Sequence, residues 1–120
     1  DEWNKKRNDI AKYYDKNLDD KKYKKMKLNK DDFNVYHMYI IQTENRDKLT
    51  KELDEAGIAY GVYYPVPLHL QKVYKNLGYK EGDLPNAEYL SSRTLAIPVD
   101  PELTEEEKEY IVNFLNNLEL

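Results

Sequence analysis

Apolar residues return along the first eighteen positions at helical spacing. Trp3, Ile10, Tyr14 and Leu18 line one side of a segment otherwise made mostly of charged and amide residues. That stripe predicts an amphipathic helix running through about Lys16. The pattern then breaks. Between Asp19 and Asp32, six lysines surround Tyr23, Met26 and Leu28, and the stretch reads as an exposed connector. Val35 to Thr43 changes period, with β-branched and aromatic side chains on both alternating faces, as a central strand requires.

A second helix is punctuated at both ends. Asn45 is a candidate N-cap, Leu49, Leu53 and Ala56 form the apolar stripe, and Gly57 supplies the left-handed residue that stops it, with Ile58 placed to pack back on the last turn. Ala59 to Tyr64 is predicted as a second strand ending at Pro65-Val66-Pro67, because proline fixes φ and cannot donate to a ladder. His69 to Leu77 is predicted as a short helix with Leu70, Val73, Tyr74 and Leu77 on one side, ended by Gly78. Pro85 suits the first turn of another short helix through Arg93, and Leu95 to Ile97 is a third strand stopped by Pro98. Thr104 and Glu107 form a capping box for a last helix that buries Ile111, Phe114, Leu115 and Leu118.

The expected order is therefore α-β-α-β-α-α-β-α. It implies an α/β (α+β) module in which a small three-stranded sheet, mixed or mostly antiparallel, packs against helices. At 120 residues the chain is one domain (1–120) with a single modest core. No apolar run approaches the ~20 residues of a membrane span. The opening Asp1-Glu2-Trp3-Asn4 is unlike a signal peptide and cysteine is absent, so a cytoplasmic protein is the expectation. A net charge of -4 weighs against general nucleic-acid binding.

Candidate chemistry is sparse. Lys21, Lys22, Lys24, Lys25, Lys27 and Lys30 could hold a polyanion, but Asp19, Asp20, Asp31 and Asp32 bracket the run and favour a solvated connector. His37, mid-strand between Tyr36 and Met38, is expected to be a hydrogen-bonded core histidine. His69 follows a proline-rigid corner, where either a binding role or a backbone-bonded helix start is acceptable. No group of His, Cys or carboxylates has metal-ligand spacing, Ser91-Ser92 has no neighbouring base or glycine elbow, and no glycine-rich phosphate loop occurs. Of the aromatic residues, 12 are Tyr against 2 Phe and 1 Trp, which suits the margin of a core or the lining of a cleft.

Tyr64-Pro65-Val66-Pro67-Leu68-His69-Leu70-Gln71, followed by Tyr74 and Leu77-Gly78-Tyr79, resembles the "YPxPLHxQ…Y…LGY" stretch of the DegT/DnrJ/StrS sugar aminotransferases. Further matches run in the same order along nearly the whole chain. Arg7 to Tyr14 is similar to that family's "R…IA..Y" helix, Val35 to Tyr39 to its "VYHxY" strand, and Leu53 to Val62 to its "L..aGI..gvhYP" turn. Pro85 to Pro98 is similar to "fPvAE.la...lsLP", and Leu103 to Ile111 to "lteeE…i".

The resemblance implies a small C-terminal domain of a fold type I enzyme dependent on pyridoxal 5'-phosphate. Such enzymes act as homodimers and move an amino group, usually from L-glutamate, to a keto sugar carried on a nucleotide. It places the Schiff-base lysine and most cofactor contacts in an N-terminal domain absent from this chain, so the chain alone is expected to hold no cofactor and to be inactive. Carried over position by position, the substrate-binding candidates are Tyr64, His69 and Gln71. Tyr63 departs from the family pattern, which often has histidine there, and leaves the identity of the sugar open. Sugar dehydration by the same cofactor, or a stand-alone sugar-nucleotide-binding or regulatory domain, are the alternatives.

Overall fold

The computed structural model describes residues 1–120. Helix α1 (Glu2–Asn17) buries Ile10, Ala11 and Tyr14 and ends as expected near Lys16. Trp3 departs from the predicted stripe and is exposed. Strand β1 (Lys24–Lys25) follows, then β2 (Tyr39–Gln42), helix α2 (Arg46–Ala56), two 3₁₀ helices (Leu68–Leu70 and Lys72–Leu77), helix α3 (Pro85–Arg93), strand β3 (Thr94–Ile97) and helix α4 (Glu105–Asn117). The sheet order is β1-β2-β3 and every pairing is antiparallel. Strand β2 is central, and β3, buried throughout, pairs with it from Tyr39 opposite Ile97 to Gln42 opposite Thr94. The helical elements and this sheet enclose a cluster of 17 buried residues.

The helix ends are built as the sequence indicates. Asn45 accepts from the Lys48 amide at 3.3 Å, and Gly57 stops α2 at φ 69°, letting the Ile58 amide donate to the Leu53 carbonyl at 2.9 Å. Thr104 and Glu107 exchange both bonds of the capping box, at 3.2 and 2.8 Å. Leu115, Ile111 and Val112 then pack inward from α4.

Four elements differ from expectation. The lysine-rich connector contains β1, because Tyr23 is wholly buried and its hydroxyl donates to the Leu115 carbonyl at 2.7 Å. Lys25 extends alongside, donating to the carbonyls of Asp15 and Leu18 and pairing with Asp20 at 2.6 Å. One aromatic anchor thus outweighs the charge around it. The predicted strand at 35–43 shrinks to Tyr39–Gln42 because Tyr36 sits at φ 49°, a conformation that breaks a strand, with its amide bonded to Asn34 Oδ1 at 2.9 Å. His37 is consequently exposed in the bend before β2 and is not a core histidine.

The predicted strand at 59–64 reduces to one bridge, Gly61 opposite Ala96, with reciprocal bonds of 3.1 and 2.7 Å. The Tyr63 ring folds back over Gly61, where an added Cβ would collide with it. The sheet's third strand is therefore β1 rather than this segment. The predicted helix at 69–77 is two 3₁₀ pieces, and Val73 and Leu77 are largely exposed. Gly78 does end it, at φ 80°.

The groove beside the proline corner

After the Gly61 bridge the chain turns through Pro65-Val66-Pro67 and runs back as the 3₁₀ helices before entering α3. Together with α3, the returning segment walls a cavity of about 510 Å³. Tyr63, Tyr64, Tyr74 and Tyr79 supply aromatic faces to its wall, and Leu84 and Leu90 supply aliphatic ones. The rings of Tyr63 and Tyr64 meet edge to face, 6.4 Å apart at 86°.

The corner is tied down through backbone acceptors. Ser91 Oγ donates to the Tyr64 carbonyl at 2.6 Å. Arg46, at the start of α2, donates to the carbonyls of Ser91 and, at 3.2 Å, Thr94. A guanidinium suits that task, since one planar group can serve two acceptors. Gln71 Nε2 donates to the Val66 carbonyl at 3.3 Å and so braces the corner across its mouth.

Of the three residues carried over from the resemblance, the structure brings Tyr64 and His69 into the groove wall. Tyr64 is largely exposed, whereas His69 is buried with its ring edge-on to Tyr79. Gln71 lies outside the wall, with its amide turned to the corner's backbone. Sequence reasoning passed over Tyr74, Leu77 and Tyr79 as wall residues, because apolar spacing reads the same whether a stripe faces a core or a cleft. It also passed over Glu88, one turn into α3, whose carboxylate accepts from the Gly82 amide at 2.8 and 3.1 Å and stands 3.8 Å from His69 Nε2.

Three other tyrosines anchor the core. Tyr14 donates to the Pro98 carbonyl at 2.6 Å, and Tyr39 to Asp15 Oδ1 at 2.5 Å. Burial pushes the phenols of Tyr14, Tyr23 and Tyr39 well above the ordinary tyrosine range, helped at Tyr39 by the Asp15 carboxylate. These side chains stay neutral donors.

The model of the DegT/DnrJ/EryC1/StrS aminotransferase family matches residues 1–116. The chain belongs to that family. Among its relatives, the pleiotropic regulatory protein of Geobacillus stearothermophilus is 51% identical over 80 residues, 67% of this chain and 22% of that protein. The erythromycin biosynthesis sensory transduction protein EryC1 of Saccharopolyspora erythraea is 31% identical over 93% of this chain and 31% of its own length. Among solved structures, DesV of S. venezuelae, determined with a ketimine intermediate, superposes with a TM-score of 0.88 at 30% identity, covering 95% of this chain and 31% of that one. An aminotransferase of the same family from Brucella abortus gives 0.85 at 34% identity, covering 94% and 30%. The chain thus spans between a fifth and a third of the length of these relatives.

The family depends on pyridoxal phosphate, and the groove of this chain does not fit that group. No lysine lines the wall to form an imine, and the wall is dominated by aromatic and aliphatic side chains where a phosphate would need a cluster of donors. No helix is long and apolar enough to cross a membrane.

Proposed function

We propose that residues 1–120 form the C-terminal domain of a pyridoxal-phosphate-dependent aminotransferase that transfers an amino group, from L-glutamate, to a keto sugar carried on a nucleotide. On this reading the cofactor, its Schiff-base lysine and the homodimer contacts are supplied by segments outside this chain. The chain contributes the sugar-side wall. The observation that carries the proposal is the coincidence of the YPVPLHLQ segment with an open, tyrosine-lined groove in a member of this family. Aromatic faces pack on the apolar faces of a sugar ring, while phenol and imidazole tips offer hydrogen bonds to its hydroxyls.

Within that wall, Tyr64 stacks and His69 bonds a hydroxyl, while Gln71 acts from outside it by bracing the corner or by reaching the ligand. The relatives named as dTDP-3-amino-3,4,6-trideoxy-α-D-glucose and dTDP-3-amino-3,6-dideoxy-α-D-galactopyranose transaminases support the substrate class. A titration of the protein with dTDP-glucose, followed by NMR, tests it. Shifts should concentrate at His69, Tyr74 and Tyr79, and a response spread evenly over α1 and α4 would refute the assignment.

A second reading, a regulatory domain that binds the same ligand without turnover, is favoured by the name of the 51% identical Geobacillus relative, a pleiotropic regulatory protein. The two part on one measurement: transamination by the complete protein supplied with pyridoxal phosphate, L-glutamate and a dTDP-keto sugar.

A further inference from the structure

His69 is the one side chain of the groove wall with an enclosed polar atom that nothing answers. Its Nε2 is shielded from solvent and lacks a hydrogen-bond partner, yet it stands 3.8 Å from Oε1 of Glu88. That separation exceeds a formed N–H···O bond, and a side-chain rotation that closes roughly 0.8 Å would complete one. The two side chains are only 4% and 18% exposed, so water competes little for the contact. Glu88 is itself fixed, because both carboxylate oxygens accept from the Gly82 amide, in a turn where Gly82 adopts φ 90°. Tyr79 stands edge-on to the imidazole with centroids 6.1 Å apart. The other ring nitrogen, Nδ1, has no partner in the chain and is not sealed from solvent.

An enclosed imidazole nitrogen that faces a carboxylate is stable when it carries the proton, since a bare lone pair there would repel the oxygen. We propose that Glu88 is a positioning residue that fixes a His69 proton on Nε2, so that in the neutral imidazole Nδ1 is the hydrogen-bond acceptor left for the groove. The ligand group that meets His69 is then a donor, a sugar hydroxyl rather than a carbonyl oxygen. A sugar with a keto or deoxy carbon at that position would leave Nδ1 unpaired, and sites built to bond a hydroxyl reject analogues that lack it. This rests on the groove being the sugar site, while the tautomer itself can be read without any ligand.

The chain has two histidines, so nitrogen-15 labelling of histidine in the protein and its His37→Gln variant assigns every ring signal. With the ring neutral, His69 should show a ring N–H on Nε2, slowed in exchange by its bond, and an Nδ1 with the shift of a bare nitrogen. Glu88→Ala should abolish the N–H signal and Glu88→Gln, which keeps an acceptor oxygen, should restore it. A proton on Nδ1 in the wild type overturns the proposal. So does an N–H signal indifferent to Glu88→Ala. Should Glu88→Ala displace the amides of Ser91 and Thr94, the wild-type tautomer and the Gln variant decide. In dTDP-glucose titrations, Glu88→Ala should weaken binding by about tenfold, and equal affinity counts against the positioning role. Absence of binding by the wild type would instead sink the sugar reading and leave the tautomer result intact.

Discussion

Two sets of tyrosines do different jobs in this chain, one in the core and one at the groove. In the core, Tyr14, Tyr23 and Tyr39 bury their rings and end on fixed acceptors, the carbonyls of Pro98 and Leu115 and the carboxylate of Asp15. In the groove, Tyr63, Tyr64, Tyr74 and Tyr79 expose ring faces, and none of their hydroxyls bonds the protein. The difference is one of completion. A core tyrosine has every polar need met within the chain, so its contribution is to stability. A groove tyrosine keeps its hydrogen-bonding capacity free, which on the proposed function serves binding.

The sharpest way to break this contrast is truncation. Tyr14→Ala should cost roughly 3–5 kcal/mol in chemical denaturation, because a fully buried ring leaves a cavity. Tyr64→Ala should change the same midpoint by less than about 0.5 kcal/mol, while abolishing ring contacts with a bound sugar. Comparable losses at both positions would erase the distinction.

Removing only the hydroxyl is a finer probe. Tyr23→Phe keeps the ring but deprives the Leu115 carbonyl of its donor inside the core, and should cost about 1–3 kcal/mol. Tyr74→Phe in the groove should leave stability unchanged on the same denaturation curve.

Alkaline pH separates the two sets without mutation. The core phenols have native values raised above the unfolded value of 10.0. Folding therefore favours their protonated form. Their contribution is complete below pH 10 and drains away as the pH climbs from there toward the raised native values. Circular dichroism should show unfolding on that rise, with the core phenols ionising together with the loss of structure. Ionisation of all tyrosines before any unfolding would contradict the burial argument.

The smallest expected effect concerns association. The groove presents several large apolar side chains to water, and such a surface seeks cover. Sedimentation at increasing concentration should reveal weak self-association that Leu68→Lys and Val73→Lys together suppress. Strictly monomeric behaviour at high concentration would argue that the patch is too divided to pair.

These contrasts bear on what could be read from the residues alone. Both ends of α2 and the start of α4 were legible, because caps and stop signals are local: Asn45, Gly57 and the Thr104–Glu107 box act within one turn. The order of β2, α3, β3 and α4 followed from period and proline position. Strand β1 was hidden, since a two-residue strand has no period and its cause, Tyr23 reaching Leu115, spans 92 positions. The 59–64 segment was over-read for a similar reason: β-type residues are there, but the Tyr63 ring over Gly61 and the following prolines leave room for only one bridge. At the groove, the motif led to Tyr64 and His69 directly. Glu88 lay inside the quoted Pro85–Pro98 match, yet its proximity to His69 needed the turn at Gly82 to become visible.

The bonds that hold the proline corner terminate on main-chain carbonyls: Tyr64, Val66, Ser91 and Thr94 are all held through their C=O groups. None of those anchors depends on which side chain residue 64 or 66 carries. The rim of the groove can therefore be rewritten one side chain at a time while the frame stays in place. On the proposed function, ligand preference can then change by single substitutions while the frame holds, and a small library at positions 63, 64, 66 and 74 should yield folded variants at high frequency.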